Sequence, residues 1–257
     1  MTEIFKRPFN KVILEFIAII TMTIDHVAWL IFPGYSENPI AIVMHIIGRI
    51  TFPIFAFFIA EGYHYTRNRT KYLIRILIFA LISHVPYMMQ SMAFKEYGWM
   101  SLIPFATGEG IGRFLNQGSV LWAYFIGLLM LMVSDSQKLK QWMKVVLILL
   151  LCVIAFPADW SCVASLIILA IGSNRGKPIK QIIHSVIFLA MYVVIYCFAL
   201  NITYGLIQLG TLLAVPLLFL YNGRKSNNET INKIMKWVFY IYYPLHLLII
   251  GIIGIII

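Results

Sequence analysis

The sequence predicts an all-α fold, a polytopic integral membrane bundle of about nine transmembrane helices forming one domain over 1–257. Three observations predict it. The chain of 257 residues is 61% hydrophobic and only 12% charged, with a mean hydropathy of +0.87. Its Leu, Ile, Val and Phe come in blocks of about 20, the length that crosses a hydrocarbon core. Short basic connections separate those blocks. The alternating ten-residue segments of a membrane β-barrel do not occur, and no internal repeat marks a solenoid.

The apolar runs place helices at about 11–32, 40–61, 71–90, 119–134, 141–156, 159–173, 179–200, 203–221 and 233–255. The first lacks a small-residue cleavage site and flows into the second, so it reads as a retained helix. Lys6, Arg7 and Lys11 precede it. Arg67, Arg69, Lys71 and Arg75 follow helix two; Lys138, Lys140 and Lys144 follow helix four. Arg175, Lys177 and Lys180 follow helix six, and Arg224, Lys225, Lys233 and Lys236 follow helix eight. Lys95 and Arg113 fall on the other side and Arg49 lies within helix two. This split predicts a cytoplasmic N-terminus and an outer C-terminus in the cell (inner) membrane. Topology and lipid headgroups therefore account for the net charge of +10, and nucleic acid is excluded as its cause. The long connection at 90–118, with Trp99, Pro104, Gly108, Gly110 and Gly112, lies outside and reads as a surface loop or an acceptor-binding cap. Cys152, Cys162 and Cys197 all sit in apolar surroundings and suggest neither a disulfide framework nor a metal cluster.

Charged side chains at membrane depth cost roughly 2.5–3.5 kcal/mol each on insertion scales, so they face the bundle interior and mark function. Asp25 and His26 lie in helix one, His45 and Arg49 in helix two, His84 in helix three and His246 in helix nine. His45 and Arg49 are four apart and share a face, as do Tyr243 and His246, three apart. Pro53 deprives the Arg49 carbonyl of its helical partner and predicts a kink there; Pro86 and Pro244 do the same beside His84 and His246. Asp25 and His26 point about 100° apart, so Asp25 can pair with Arg49 while His26 faces a cavity. A structural ion pair for Asp25–Arg49, and interhelical hydrogen bonding for His45 and His246, are the alternative readings. No HxxxH or HxxE ligand pair occurs on one helix, so no metal is expected.

The stretches "IAIITMTIDHVAWLIFP" (17–33), "IIGRITFPIFAFFIAEGYHYTRNRTKYLIRILIFALISHVPY" (46–87), "LFLYNGRKS" (218–226) and "FYIYYPLHLLII" (239–250) resemble the TraX family. The most specific piece is "GRITFPIFAFFIAEG" with its following "TRNRTKY". The resemblance implies an inner-membrane acetyltransferase related to pilin N-acetylation in conjugation. Such an enzyme takes an acetyl group from cytoplasmic acetyl-CoA and delivers it to an amine or hydroxyl of an outer acceptor, be it a peptide, a glycan or a metabolite. His26 matches the family histidine, and the reaction needs a base of near-neutral pKa; Asp25 matches the acid before it. Arg49, His45, His84, Tyr243 and His246 are the expected polar pocket. Arg67, Arg69, Lys71, Arg75, Arg224 and Lys225 are the candidates for the CoA phosphates. Glu61 is a motif residue without an assigned role. The wider superfamily places a basic residue eleven positions before the histidine; here Glu15 stands there, with Lys11 one turn further out. Buried Asp, Arg and His also suit a proton-coupled transporter, which the missing inverted repeat speaks against.

Overall fold

The computed structural model describes residues 7–103 and 117–256. Its regular structure is helical apart from two single β-bridges, Phe9–Tyr221 and Gly118–Ala158. Helix α1 (Lys11–Ile31) starts at Asn10, whose side chain accepts from Ile13 N at 3.0 Å. The second apolar run is broken in two, α2 (Pro39–Gly48) and α3 (Thr51–Tyr65). The expected kink is thus a full interruption at Arg49–Ile50, just ahead of Pro53. Helix α4 (Arg69–Met89) carries Pro86 within it and is capped by Asn68, which accepts from Lys71 N at 2.8 Å. Asparagine at these starts satisfies N–H groups that no helical carbonyl can reach.

The expected outer connection begins with a short helix, α5 (Met92–Tyr97), and a 3-10 turn (Gly98–Leu102). Pro104, Gly108, Gly110, Gly112 and Arg113 lie outside the described residues. Helices α6 (Val120–Asp135), α7 (Gln141–Ala155), α8 (Ser161–Ser173) and α9 (Pro178–Ala199) follow. The next run is broken again, into α10 (Ile202–Ile207), a 3-10 turn (Gln208–Leu213) and α11 (Ala214–Phe219). Helix α12 (Glu229–Ile256) closes the chain around Pro244.

Six of these runs are long and apolar enough to cross a membrane. The other three, α6, α7 and α8, have 16, 15 and 13 residues. These three were expected at 119–134, 141–156 and 159–173 and keep nearly those bounds, but six candidate spans, not nine, occur among the described residues. Fifteen residues rise about 22 Å, against a hydrocarbon core of about 30 Å.

Lipid tails do not drive helices together, so close association rests on small residues and buried hydrogen bonds. Gly127 lies against Ile168 and Gly172 against Leu131 where α6 meets α8; Ser165 Oγ donates to Ala123 O at 2.7 Å across the same seam. Helix α1 packs between α2, α3 and α12, while α4 packs on α12 and α6. The chain before α1 is pinned to the segment after α11: Phe9 N donates to Leu220 O at 3.1 Å, and Asn222 N to Phe9 O at 2.8 Å.

Candidate functional site

The break in the second run sets the first half of the site. Arg49 is the last residue of its turn, and its backbone N–H still reaches His45 O at 3.0 Å. Its side chain folds back over the same carbonyl, Nε donating at 3.3 Å. Nη2 donates to both oxygens of Asp25, at 2.9 and 3.1 Å. Nη1 donates to Gln208 Oε1 at 3.4 Å, from the interrupted segment between α10 and α11. His45, fully buried, donates from Nδ1 to Asp25 Oδ1 at 2.8 Å. The Trp160 ring lies 5.3 Å from the guanidinium carbon. Gly48 makes this approach feasible: a Cβ there would run into Asp25 Cβ.

Adjacent residues on a helix diverge, and Asp25 does not bond His26. The His26 ring instead lies 5.0 Å from the ring of His246. His246 stacks on Tyr242 at 4.9 Å and donates from Nδ1 to Tyr242 O at 2.7 Å, one turn back along α12. The Tyr242 hydroxyl is anchored to Thr23 of α1 at 2.6 Å. His26 Nδ1 and His246 Nε2 are buried with no hydrogen-bond partner.

Asp159 completes the cluster, and it was not among the expected site residues. It sits in the α7–α8 turn, where two consecutive non-glycine residues, Trp160 (φ 63°) and Ser161 (φ 52°), adopt left-handed backbone. Such conformations persist only where the surroundings enforce them. Here Asp159 N donates to Gly118 O at 2.7 Å and Gln117 N to Pro157 O at 2.7 Å. Trp160 is clamped between Phe52, 4.4 Å away and nearly parallel, and Tyr192, at 5.2 Å. Asp159 lies in the field of Arg49, next after Asp25. The signal available in the sequence was an acid flanked by apolar runs, one of only ten in the chain.

Two cavities meet at this cluster. A polar one of about 230 Å³ opens past Pro33, Gly34 and Tyr35 and is lined by Trp29, Gln90, Lys95, Tyr204 and Gln208. A small chamber of about 40 Å³ lies behind it, walled by Met22, Thr51, Phe52, Phe55, Val120 and Tyr124. Four residues line both: Asp25, His26, Arg49 and Asp159. A third cavity, about 780 Å³, opens at the opposite end past Arg7, Arg175, Asn222 and Gly223 and ends at Phe52. Phe52 is therefore shared between it and the small chamber.

The remaining expected residues are distributed more widely. Tyr243 lines the small chamber, its ring 5.7 Å from His246. His84 stands apart and donates from Nε2 to Leu102 O at 3.0 Å. Arg69 pairs with Asp135 at 3.4 Å and covers the Tyr63 ring. Arg75 lies between the rings of Tyr72 and Tyr240. Arg67, Lys71, Arg224 and Lys225 are exposed, the last two just beyond the Asn222–Gly223 rim. Glu61 now has a partner: both its oxygens accept from Arg175, at 3.0 and 3.2 Å, joining α3 to the α8–α9 turn. That carboxylate raises the pKa of Arg175, so the guanidinium is held charged at the rim. Glu15, buried, pairs with Lys11 at 3.4 Å. No group of three or more metal-ligating side chains occurs among the described residues.

An all-helical membrane protein with a buried Asp–Arg–His cluster between opposed cavities is the class that this fold and site define. The chain belongs to the TraX protein family, which matches residues 10–254. It is similar to the Dichelobacter nodosus protein described as "Probable fimbrial assembly protein FimC, serogroup H1", with 27% identity over 244 residues covering 93% of each chain. No solved structure matches it.

Proposed function

We propose that this protein is an integral-membrane acetyltransferase of the inner membrane, N-terminus cytoplasmic and C-terminus outside, with all nine runs as spans. It moves an acetyl group from cytoplasmic acetyl-CoA to an amine or hydroxyl on an outer acceptor. The fimbrial name of the relative favours a pilin subunit as that acceptor. The observation that carries the reading is the set of four residues lining both the polar cavity and the small chamber. In this scheme the acceptor enters past Pro33–Tyr35. The thioester comes from the opposite side, through the large cavity that ends at Phe52, with Arg7 and Arg175 meeting the CoA phosphates.

The chemistry follows from the hydrogen bonds. As the acceptor nitrogen or oxygen attacks the thioester carbonyl, His26 takes its proton; the residue has an unpartnered ring nitrogen with which to do so. Arg49 has five N–H donors. Asp25, His45 O and Gln208 hold it still, and a second Nη1–H is left over for the oxyanion. The C–S bond then breaks, and the His26 proton passes to the departing thiolate. Asp25 hydrogen-bonds Arg49 and His45, not the His26 ring. The test is transfer of labelled acetyl from acetyl-CoA by the purified protein in lipid. His26→Gln keeps the size and hydrogen bonding and removes the base, so the rate should fall about 10²–10⁴-fold in folded protein. A variant that keeps more than about a tenth of the rate places the base elsewhere.

A further inference from the structure

His246 is 6% exposed and lines none of these three cavities, so a bound substrate does not touch it. Nor does it hydrogen-bond a neighbouring helix: its Nδ1–H is committed to Tyr242 O on α12 itself. In the neutral ring the lone pair then lies on Nε2, and that atom is buried without a partner. A buried acceptor left unpaired is costly, and so needs a reason. The ring is held firmly in this state. It stacks on Tyr242, centres 4.9 Å apart and planes 10° from parallel. The Tyr242 hydroxyl bonds Thr23 Oγ1 at 2.6 Å, and Thr23 donates in turn to Ile19 O at 2.8 Å. Thr23 precedes His26 by about one turn of α1, as Tyr242 precedes His246 on α12. The tie between the two helices thus sets one histidine ring beside the other.

We propose that His246 is a positioning residue for the transfer step: its Nε2 accepts the Nδ1–H of the His26 imidazolium and holds that ring while the charge is on it. The inference rests on the acetyltransferase reading and gives the buried second histidine of that site its task. An imidazolium donates from both ring nitrogens. Once His26 has taken the acceptor's proton it carries an N–H on Nδ1, an atom buried with no partner in the resting protein. Asp25 does not meet that need, because its oxygens are taken by Arg49 and His45. The His246 ring lies 5.0 Å from the His26 ring, tilted by 56°. At that separation, rotation of the His26 side chain brings nitrogens on the facing edges into hydrogen-bond range. His246 keeps its own proton on Nδ1 and transfers none. The proton that His26 takes from the acceptor leaves with the thiol, and the bond to His246 is then released.

The experiment follows acetyl transfer by the full-length protein in lipid nanodiscs, read as KM for acetyl-CoA and as single-turnover rate constants, which do not depend on how much protein folds. His246→Phe keeps a ring stacked on Tyr242 and removes the acceptor. His246→Gln loses the ring and restores an acceptor oxygen at a similar reach. The phenylalanine variant should lose about 10–10²-fold in rate, the scale of one hydrogen bond to a charged group, with KM for acetyl-CoA little changed. The glutamine variant should be at least about fivefold faster than it, because an acceptor is back in place. In His26→Gln protein, adding His246→Phe should not lower the residual rate further, since residues that act as a unit are not additive. A role in packing alone predicts the reverse order, phenylalanine above glutamine, and a loss that persists without His26. Either of those results overturns the proposal and leaves the transferase reading intact. Where His246→Phe does not fold, His246→Leu replaces it in the same comparison. A native protein that transfers no acetyl removes both readings.

Discussion

The Asp25–Arg49 pair is the interaction on which the site's geometry most depends, and a double-mutant cycle measures it. Asp25→Asn keeps the shape but leaves the guanidinium with His45 O, Gln208 Oε1 and the Trp160 face as its direct contacts, and with Asp159 as the remaining acid in its field. Breaking a buried ion pair from one side costs about 3–5 kcal/mol, in keeping with the roughly 2.5–3.5 kcal/mol for a lone charge at membrane depth. Arg49→Gln should cost less. Asp25 retains the His45 Nδ1–H bond at 2.8 Å, and its side chain is 14% exposed at the polar cavity. The double variant removes both charges and should cost less than Asp25→Asn alone, with a coupling of about 2 kcal/mol or more. Cys152, Cys162 and Cys197 are free and partly buried, so a thiol-reactive fluorophore reports thermal unfolding in detergent without an added label. At about 2–4 °C per kcal/mol for a chain of this size, Asp25→Asn should lower the midpoint by about 6–20 °C, and the second substitution should restore part of that loss. Additive losses in the double variant would refute the reasoning, because two residues that neither pair nor share partners add.

Further outcomes follow from the packing and the topology. Gly48→Ala places a methyl against Asp25, and should cost about 1–3 kcal/mol in the same thermal assay by overpacking, while lowering acetyl transfer. Arg7→Glu combined with Arg175→Glu should raise KM for acetyl-CoA with a smaller change in kcat. Arg67→Glu combined with Arg69→Glu should leave KM unchanged and lower the melting midpoint, because Arg69 is engaged with Asp135 and Tyr63; a reversed pattern moves the donor entrance to that loop. A phosphatase fused after Ile257 should be active and a cytosolic fluorescent fusion there dark, whereas the opposite result means an even number of crossings.

Much of this protein could be read from its sequence because a bilayer penalises polarity. The helical runs and the inward-facing Asp25, His26, His45, Arg49 and His246 follow from that penalty and from 3.6-residue spacing, and Pro53 predicted a kink where the helix is in fact interrupted. What spacing could not supply was which polar groups meet. The pairing of His26 with His246 joins the first helix to the last, and the Glu61–Arg175 bridge spans over a hundred residues. Basic residues that look alike along the chain were divided by helix packing: Arg69 and Arg75 cover aromatic rings, while Arg7 and Arg175 line the large cavity. Asp159 was hidden for a related reason. Its place depends on the backbone bond to Gly118 that holds the α7–α8 turn against the start of α6, with Trp160 and Ser161 left-handed beside it. Local pattern determined which residues a membrane would force inward; only the packed bundle decided which of them share a cavity, because contacts between distant segments arise from helix lengths and packing that no local period records.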